Sequence, residues 1–224
     1  KKINNKIPLI AIPTTAGSGS EVTEGAVIYE NKIKYSLEDQ FIVPDKYFLI
    51  PDLVLNNTRK IKANSGFDAL SQSIESILSN KSNSKSIKNA QKDLKLIKNN
   101  FLKFYFIIKK LNGFKMQQAA NFAGRAICTS KTTAPHAVSY PFSIYYKVGH
   151  GHSVSLTFNE FLKFNFINID KVKNPKKLKN KFSKIFKSTN TENIDGLVNF
   201  INEIKRKIKF ENKLKNLSID LNKA

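Results

Sequence analysis

Imidazole is sparingly used in this chain. Its three histidines, His136, His150 and His152, all fall within the stretch KTTAPHAVSYPFSIYYKVGHGHSV, residues 131 to 154 of 224. A histidine needed only for packing can sit anywhere, so this clustering points to a task that needs imidazole. His136 follows Pro135, and His150 lies 14 residues later, before Gly151. The intervening segment is apolar enough to form a helix that brings both rings back to one point. A hard or borderline divalent cation takes two imidazoles and a carboxylate and keeps a position open, which is the usual catalytic arrangement. The carboxylate that completes such a set is Asp68, in GFDALSQSIES. Asp68 and Gln72 are four residues apart on a predicted helix and therefore share a face. Two plainer readings stay open at this level: Asp68 as the cap of a helix after Gly66, and each histidine as a hydrogen-bonded core residue.

A second stretch with chemical potential is PTTAGSGSEVT, residues 13 to 23. A turn rich in glycine and serine directly after an apolar run lets backbone N–H groups approach an anion closely. It matches neither the dinucleotide fingerprint nor the P-loop, so an ordinary turn is the competing reading.

The elements that must carry these residues divide into two. The first 55 or so residues read as strands broken by turns: IPLIAIPTT, a pair of strands in GAVIYENKIKYSL around a turn at Asn31, and KYFLIPDLVL. From about Ile61 the spacing becomes helical. Phe67, Leu70, Ile74, Ile77 and Leu78 mark one helix; SIKNAQKDLKLIKNNFLKFYFIIKKL continues the pattern, followed by KMQQAANFAGRAICTS, the stretch after His136, SVSLTFNEFLKFNF and lysine-rich helices from Pro175. The boundary is expected near residue 58, with residues 1–58 as one unit and 59–224 as an all-helical one.

Composition limits the function classes. The hydrophobic fraction of 41% is enough for a substantial core, and no run approaches the roughly 20 apolar residues of a membrane-spanning helix. A single cysteine, Cys128, excludes an internal disulfide and any multi-cysteine zinc site, and cytoplasm is the expected compartment. The net charge of +21 raises nucleic acid as a partner, but the lysines are scattered among asparagine and isoleucine rather than gathered in a stripe. The chain opens on Lys1 and closes on NKLKNLSIDLNKA, and it is expected to continue at both ends.

Together the three stretches resemble the iron-containing alcohol dehydrogenase family. Its members carry P-T-T-x-G-x-G-S-E-V-T, then G-x-D-A-L-x-H-x-x-E, then H-A-x-x-x-x-x-G-x-x-x-x-x-P-H-G, in this order, and the likeness runs from Ile7 to about Asn165. The resemblance implies an α/β dinucleotide-binding domain, of which residues 1–58 are the remnant, followed by an all-helical metal-binding domain. It implies reduction of an aldehyde or oxidation of an alcohol with NAD or NADP and a divalent metal, Fe2+ or Zn2+, and commonly a homodimer. Within the family, DALSQSIES, TTAPHAVSYPFS and GHGHSVSLT look like phosphonoacetaldehyde reductases. The alternatives are another small aldehyde, or a chain that is inactive or a basic binding protein.

Carried over by position, Asp68, His136 and His150 look like metal ligands, and the fourth falls on Gln72, where most members have histidine. An amide oxygen is a weaker and harder donor than imidazole. The cofactor contacts fall on Thr14, Thr15, Ser18, Thr23 and Lys34. Tyr140, where many members have a second histidine, and His152 are the implied proton carriers. Arg125 and Lys131 are the cations expected to meet a phosphonate.

Overall fold

The computed structural model describes residues 7–31, 33–212 and 214–217, with backbone alone for Tyr29, Lys34 and Lys215. The expected α/β remnant followed by a helical body is what the chain forms. Its β part is two small sheets. Strand β1 (Ile10–Ala11) pairs in parallel with β4 (Lys46–Tyr47), and β2 (Gly25–Glu30) pairs antiparallel with β3 (Ile33–Glu38) in the expected hairpin. Asn31, at φ 49°, makes the turn; asparagine tolerates this left-handed backbone better than most residues.

Two expectations for this part are corrected. IPLIAIPTT forms a ladder of only two residues, and in KYFLIPDLVL the run ends in a short helix, α1 (Asp52–Leu55), for which Pro51 supplies a helical φ of −61°. Leu9, Ile10 and Ile12 are about half exposed, so their apolar character does not reflect a buried strand here.

The body is a bundle around α2 (Arg59–Leu78). Thr58 caps it by accepting from the Ile61 amide, and from Gly66 to Ile77 every residue is buried. A helix covered on all sides has no solvated stripe, and α2 is packed against α3 (Ser84–Phe106), α4 (Lys110–Ser130), α6 (His150–Ile167) and α7 (Pro175–Thr189). Helix α5 (Ala134–Tyr146) lies on α6, and α8 (Ile194–Lys207) closes the far side. Asn83, Asn174 and Asn193 each accept a first-turn amide, so α3, α7 and α8 start where asparagine interrupts the apolar pattern.

The helical pattern through FLKFYFIIKKL is broken in space. Ile107 is extended, and the Asn112 amide reaches back to the Lys103 and Ile107 carbonyls, closing α3 before α4 begins. Among the described residues no helix is long and apolar enough to cross a membrane.

Candidate metal centre

Asp68, Gln72 and Glu75 occupy one face of α2 at spacings of four and three, and all are at most 6% exposed. Opposite them α5 begins. Lys131, at φ 59° and ψ 175°, turns the chain out of α4, and Pro135 in the first turn of α5 sets its direction, so that His136 enters the α2 face. His136 Nε2 lies 3.2 Å from Asp68 Oδ1, and its Nδ1 lies 2.5 Å from Glu75 Oε1. Glu75 is itself held, because its second oxygen accepts from the Thr133 amide at 2.5 Å and the Thr133 hydroxyl at 2.9 Å.

The third group arrives on α6. A Cβ at Gly151 would fall 2.1 Å from the Asn64 carbonyl oxygen, and one at Gly149 would fall 2.3 Å from Asn64 Oδ1, so only glycine lets this helix start against α2. Asn64 Oδ1 then accepts from the His152 amide at 3.0 Å. His150, the first residue of α6, is thereby set with Nε2 3.6 Å from Asp68 Oδ1 and its ring 5.3 Å from that of His136. One ligand atom each from Asp68, His136 and His150 lie within 4.8 Å of one another.

The electrostatics suit a cation. Burial alone would lower the His136 pKa, but the Glu75 charge and the hydrogen bonds to Asp68 and Glu75 push it up to about 10. Burial would likewise raise Asp68, yet the His136 hydrogen bond and the His150 and His136 charges hold it below the usual carboxylate range. A field that keeps a proton on a buried imidazole attracts cations, and a divalent ion would bind there by displacing that proton, because only neutral imidazole is a ligand. Two imidazoles and a carboxylate are the donor set such an ion takes, and the buried Gln72 Oε1 beside them has no hydrogen-bond partner.

The cluster faces two clefts. One, of about 350 Å3, is lined by Thr15, Ser18, Asp68 and His150; the other, of about 320 Å3, by Ser18, Thr23, Gln72, His136 and Tyr140, with the β2–β3 hairpin as its outer wall. Thr15, Ser18, Thr23 and Tyr140 thus border the cluster. Thr14 lines neither cleft; its carbonyl accepts from the Asn57 side chain. The Lys34 side chain lies outside the described residues.

Two of the expected residues lie away from the cluster, and a third borders it with its charge already paired. His152, two residues and about 200° around α6 from His150, stacks on Phe210 and donates from Nε2 to the Glu211 carbonyl at 2.7 Å, so it does not reach the cluster. Arg125 lines neither cleft; its guanidinium donates to Asn121 and Tyr47, and Asn121 in turn donates to buried Glu21, tying the glycine-rich turn to α4 and β4. Lys131 does line the second cleft, but its ammonium is bridged to Glu24 at 3.0 Å and Glu38 at 2.9 Å.

The glycine-rich turn is likewise built for packing. Gly17 abuts Ser65, and Gly19, at φ 62°, lies against Gly124 so closely that a Cβ on either would fall 2.5 Å from a backbone oxygen. Glu75 and Asn64 hold the ligands without being ligands themselves, and residue type alone does not single them out. Both follow from α2 periodicity: Glu75 is seven residues after Asp68, and Asn64 is four before it.

Residues 62–224 match the model of the Fe-containing alcohol dehydrogenase family, C-terminal, and residues 1–51 that of iron-containing alcohol dehydrogenase. The chain is 27% identical to an NADPH-dependent butanol dehydrogenase of Clostridium saccharobutylicum, over 97% of this chain and 56% of the relative. It is 30% identical to a phosphonoacetaldehyde reductase of Streptomyces viridochromogenes, over 71% of this chain and 41% of the relative. The fold is that of a sulfoacetaldehyde reductase from Bifidobacterium kashiwanohense solved with NAD+, at TM-score 0.86 and 28% identity, covering 96% of this chain and 56% of that one. The chain spans about half the length of these relatives. With three quarters of a sheet-poor, helix-rich chain matched by one family model and most of the remainder by its companion, it belongs to the iron-containing alcohol dehydrogenase family.

Proposed function

We propose that this chain is the metal-binding portion of an NAD(P)-linked alcohol dehydrogenase that interconverts a short aldehyde and its primary alcohol. Residues 1–58 would complete a nucleotide-binding domain and residues 59–224 form the helical metal-binding domain. The observation that carries the reading is the convergence of His136 and His150, each in the first turn of its helix, on Asp68 of α2.

In this reading Asp68, His136 and His150 hold the divalent ion, and Gln72 is adjacent. When bound, the ion supplies Lewis-acid polarisation of a carbonyl oxygen, and the nicotinamide supplies or accepts the hydride. The rest falls to the chain. Glu75 fixes the His136 ring through Nδ1, which leaves Nε2 for the cluster. The Thr15 and Ser18 hydroxyls offer donors and acceptors to the cofactor in the cleft beside His150. The β2–β3 hairpin walls the neighbouring cleft. Tyr140, one turn after His136 and half-buried in that cleft, holds a proton at its phenol oxygen for the alkoxide.

For the substrate we favour phosphonoacetaldehyde. Its support is the likeness to two enzymes named for two-carbon aldehydes that carry an anionic group. Lys131 is the ammonium in the substrate cleft that would meet that anion, and it would have to exchange Glu24 or Glu38 for it. Those ion pairs, with the likeness to a butanol dehydrogenase, favour an uncharged aldehyde as the second reading. The test is NADH and NADPH oxidation by the full-length protein with phosphonoacetaldehyde and with butanal, with and without Fe2+ or Zn2+. Metal-dependent turnover is expected. Butanal turned over in preference to phosphonoacetaldehyde would select the second reading, and no metal-dependent turnover of either would overturn both.

A further inference from the structure

Gln72 follows Asp68 by about one turn of α2 and is 4% exposed. Its side-chain amide has an NH2 that only donates and one oxygen that only accepts. That oxygen, Oε1, is buried and makes no hydrogen bond, although Gln72 lines the same cleft as Asp68, His136 and His150. A buried amide oxygen with no partner is destabilising, and a cation held by the three neighbours would satisfy it. We propose that Gln72 Oε1 is a fourth protein donor at the metal centre and that this amide oxygen sets the metal preference, shifting the site away from Zn2+ toward harder divalent ions such as Mn2+ and Fe2+. The proposal rests on the reading of the cluster as a metal centre.

The physical reason is donor softness. Imidazole nitrogen suits Zn2+, whereas carbonyl and carboxylate oxygens suit Mn2+ and its harder neighbours, and a site built mainly of nitrogen follows the intrinsic affinity order in which Zn2+ far exceeds Mn2+. With Gln72 included, the donors here are two imidazole nitrogens, a carboxylate and an amide oxygen. Half of the set is then oxygen, and the gap between the two ions narrows.

The experiment uses the chain stripped of metal, titrated with Zn2+ and with Mn2+ in competition with a chromophoric chelator, and compared with Gln72→His, Gln72→Ala and His150→Ala. Circular dichroism checks that each variant is folded. Gln72→His is expected to raise the Zn2+ over Mn2+ preference about ten-fold, and Gln72→Ala to weaken Mn2+ more than Zn2+. If His150→Ala loses both ions while the two Gln72 variants bind like the parent, the amide is not a donor and the proposal falls with the metal centre intact. If the parent binds neither ion, or His150→Ala binds as the parent does, the metal centre itself is wrong and the proposal falls with it.

Discussion

Asp68 on α2 and Asp93 on α3 sit in adjoining regions of one bundle, both out of solvent, yet they are opposite chemical species. Asp68 is 6% exposed and Asp93 is not exposed at all. At Asp93 burial dominates: its pKa is well above the usual carboxylate range, Ser73 pulls it down only in part, and neither oxygen has a partner of ordinary hydrogen-bond geometry. At Asp68 the same burial is outweighed by the hydrogen bond from His136 and the charges of His150 and His136. Burial by itself makes a neutral acid. Imidazoles delivered by two other helices turn it into a ligand.

The comparison breaks most severely at Asp68. Asp68→Asn keeps the shape and removes the anion, and metal affinity in a chelator titration should fall by about a hundred-fold or more. An unchanged affinity would mean that the imidazoles bind without it. Glu75→Gln comes next. It leaves all three ligands in place but replaces the carboxylate at His136 Nδ1 with an amide, and metal affinity should fall by about ten- to a hundred-fold.

Asp93→Asn sharpens the other side. Asp93 ionises near 3.8 in the unfolded chain and far higher in the folded one. The folded state therefore binds the extra proton above pH 3.8, and stability falls by about 1.4 kcal/mol per pH unit as pH rises toward the folded value. Asparagine has no proton to retain, so urea melts of the variant at pH 5, 6 and 7 should lack this downward slope. An identical slope in parent and variant would show that Asp93 is ionised in the fold.

Legibility in the sequence followed the same division between local and assembled features. His136 and His150 could be nominated because imidazole is scarce in this chain and the proline and glycines beside them mark helix starts, whereas Asp68, in the middle of α2, stood out only through its place in GFDALSQSIES. Asp93 could not be told from any helix-surface aspartate, since only the packing of α3 on α2 buries it. His152, expected as a proton carrier beside the ligand His150, is carried by the turn of α6 to Phe210 and the Glu211 carbonyl instead. The glycines near residue 17 could be read only as backbone freedom; that Gly19 needs Gly124 is a contact across more than 100 residues. The apolar run after Phe104 continued the helical pattern, and the capping by Asn112 that ends α3 depends on a side chain reaching back along the chain. Apolar runs in the β part overstate strand length, because residues such as Ile10 are exposed on a two-residue ladder.

The smallest expected effect tests how firmly the β part is fixed to the bundle. Lys131 joins them through Glu24 and Glu38, at the two open ends of the hairpin, while its own backbone sits at φ 59° and ψ 175°, a region glycine favours. The two contributions oppose each other. The ion pairs are partly exposed and worth at most about 1 kcal/mol, whereas the backbone conformation costs about 1–3 kcal/mol. Lys131→Met removes the ion pairs and keeps the strain, so it should lower global stability by less than about 1 kcal/mol while amide exchange in residues 25–38 quickens. Lys131→Gly removes both, and it should be at least as stable as the methionine variant despite the greater freedom of glycine in the unfolded chain. Hairpin exchange should be as fast in the glycine variant as in the methionine one. If it stays at the parental rate in both, the hairpin is held by its packing over the cleft rather than by Lys131.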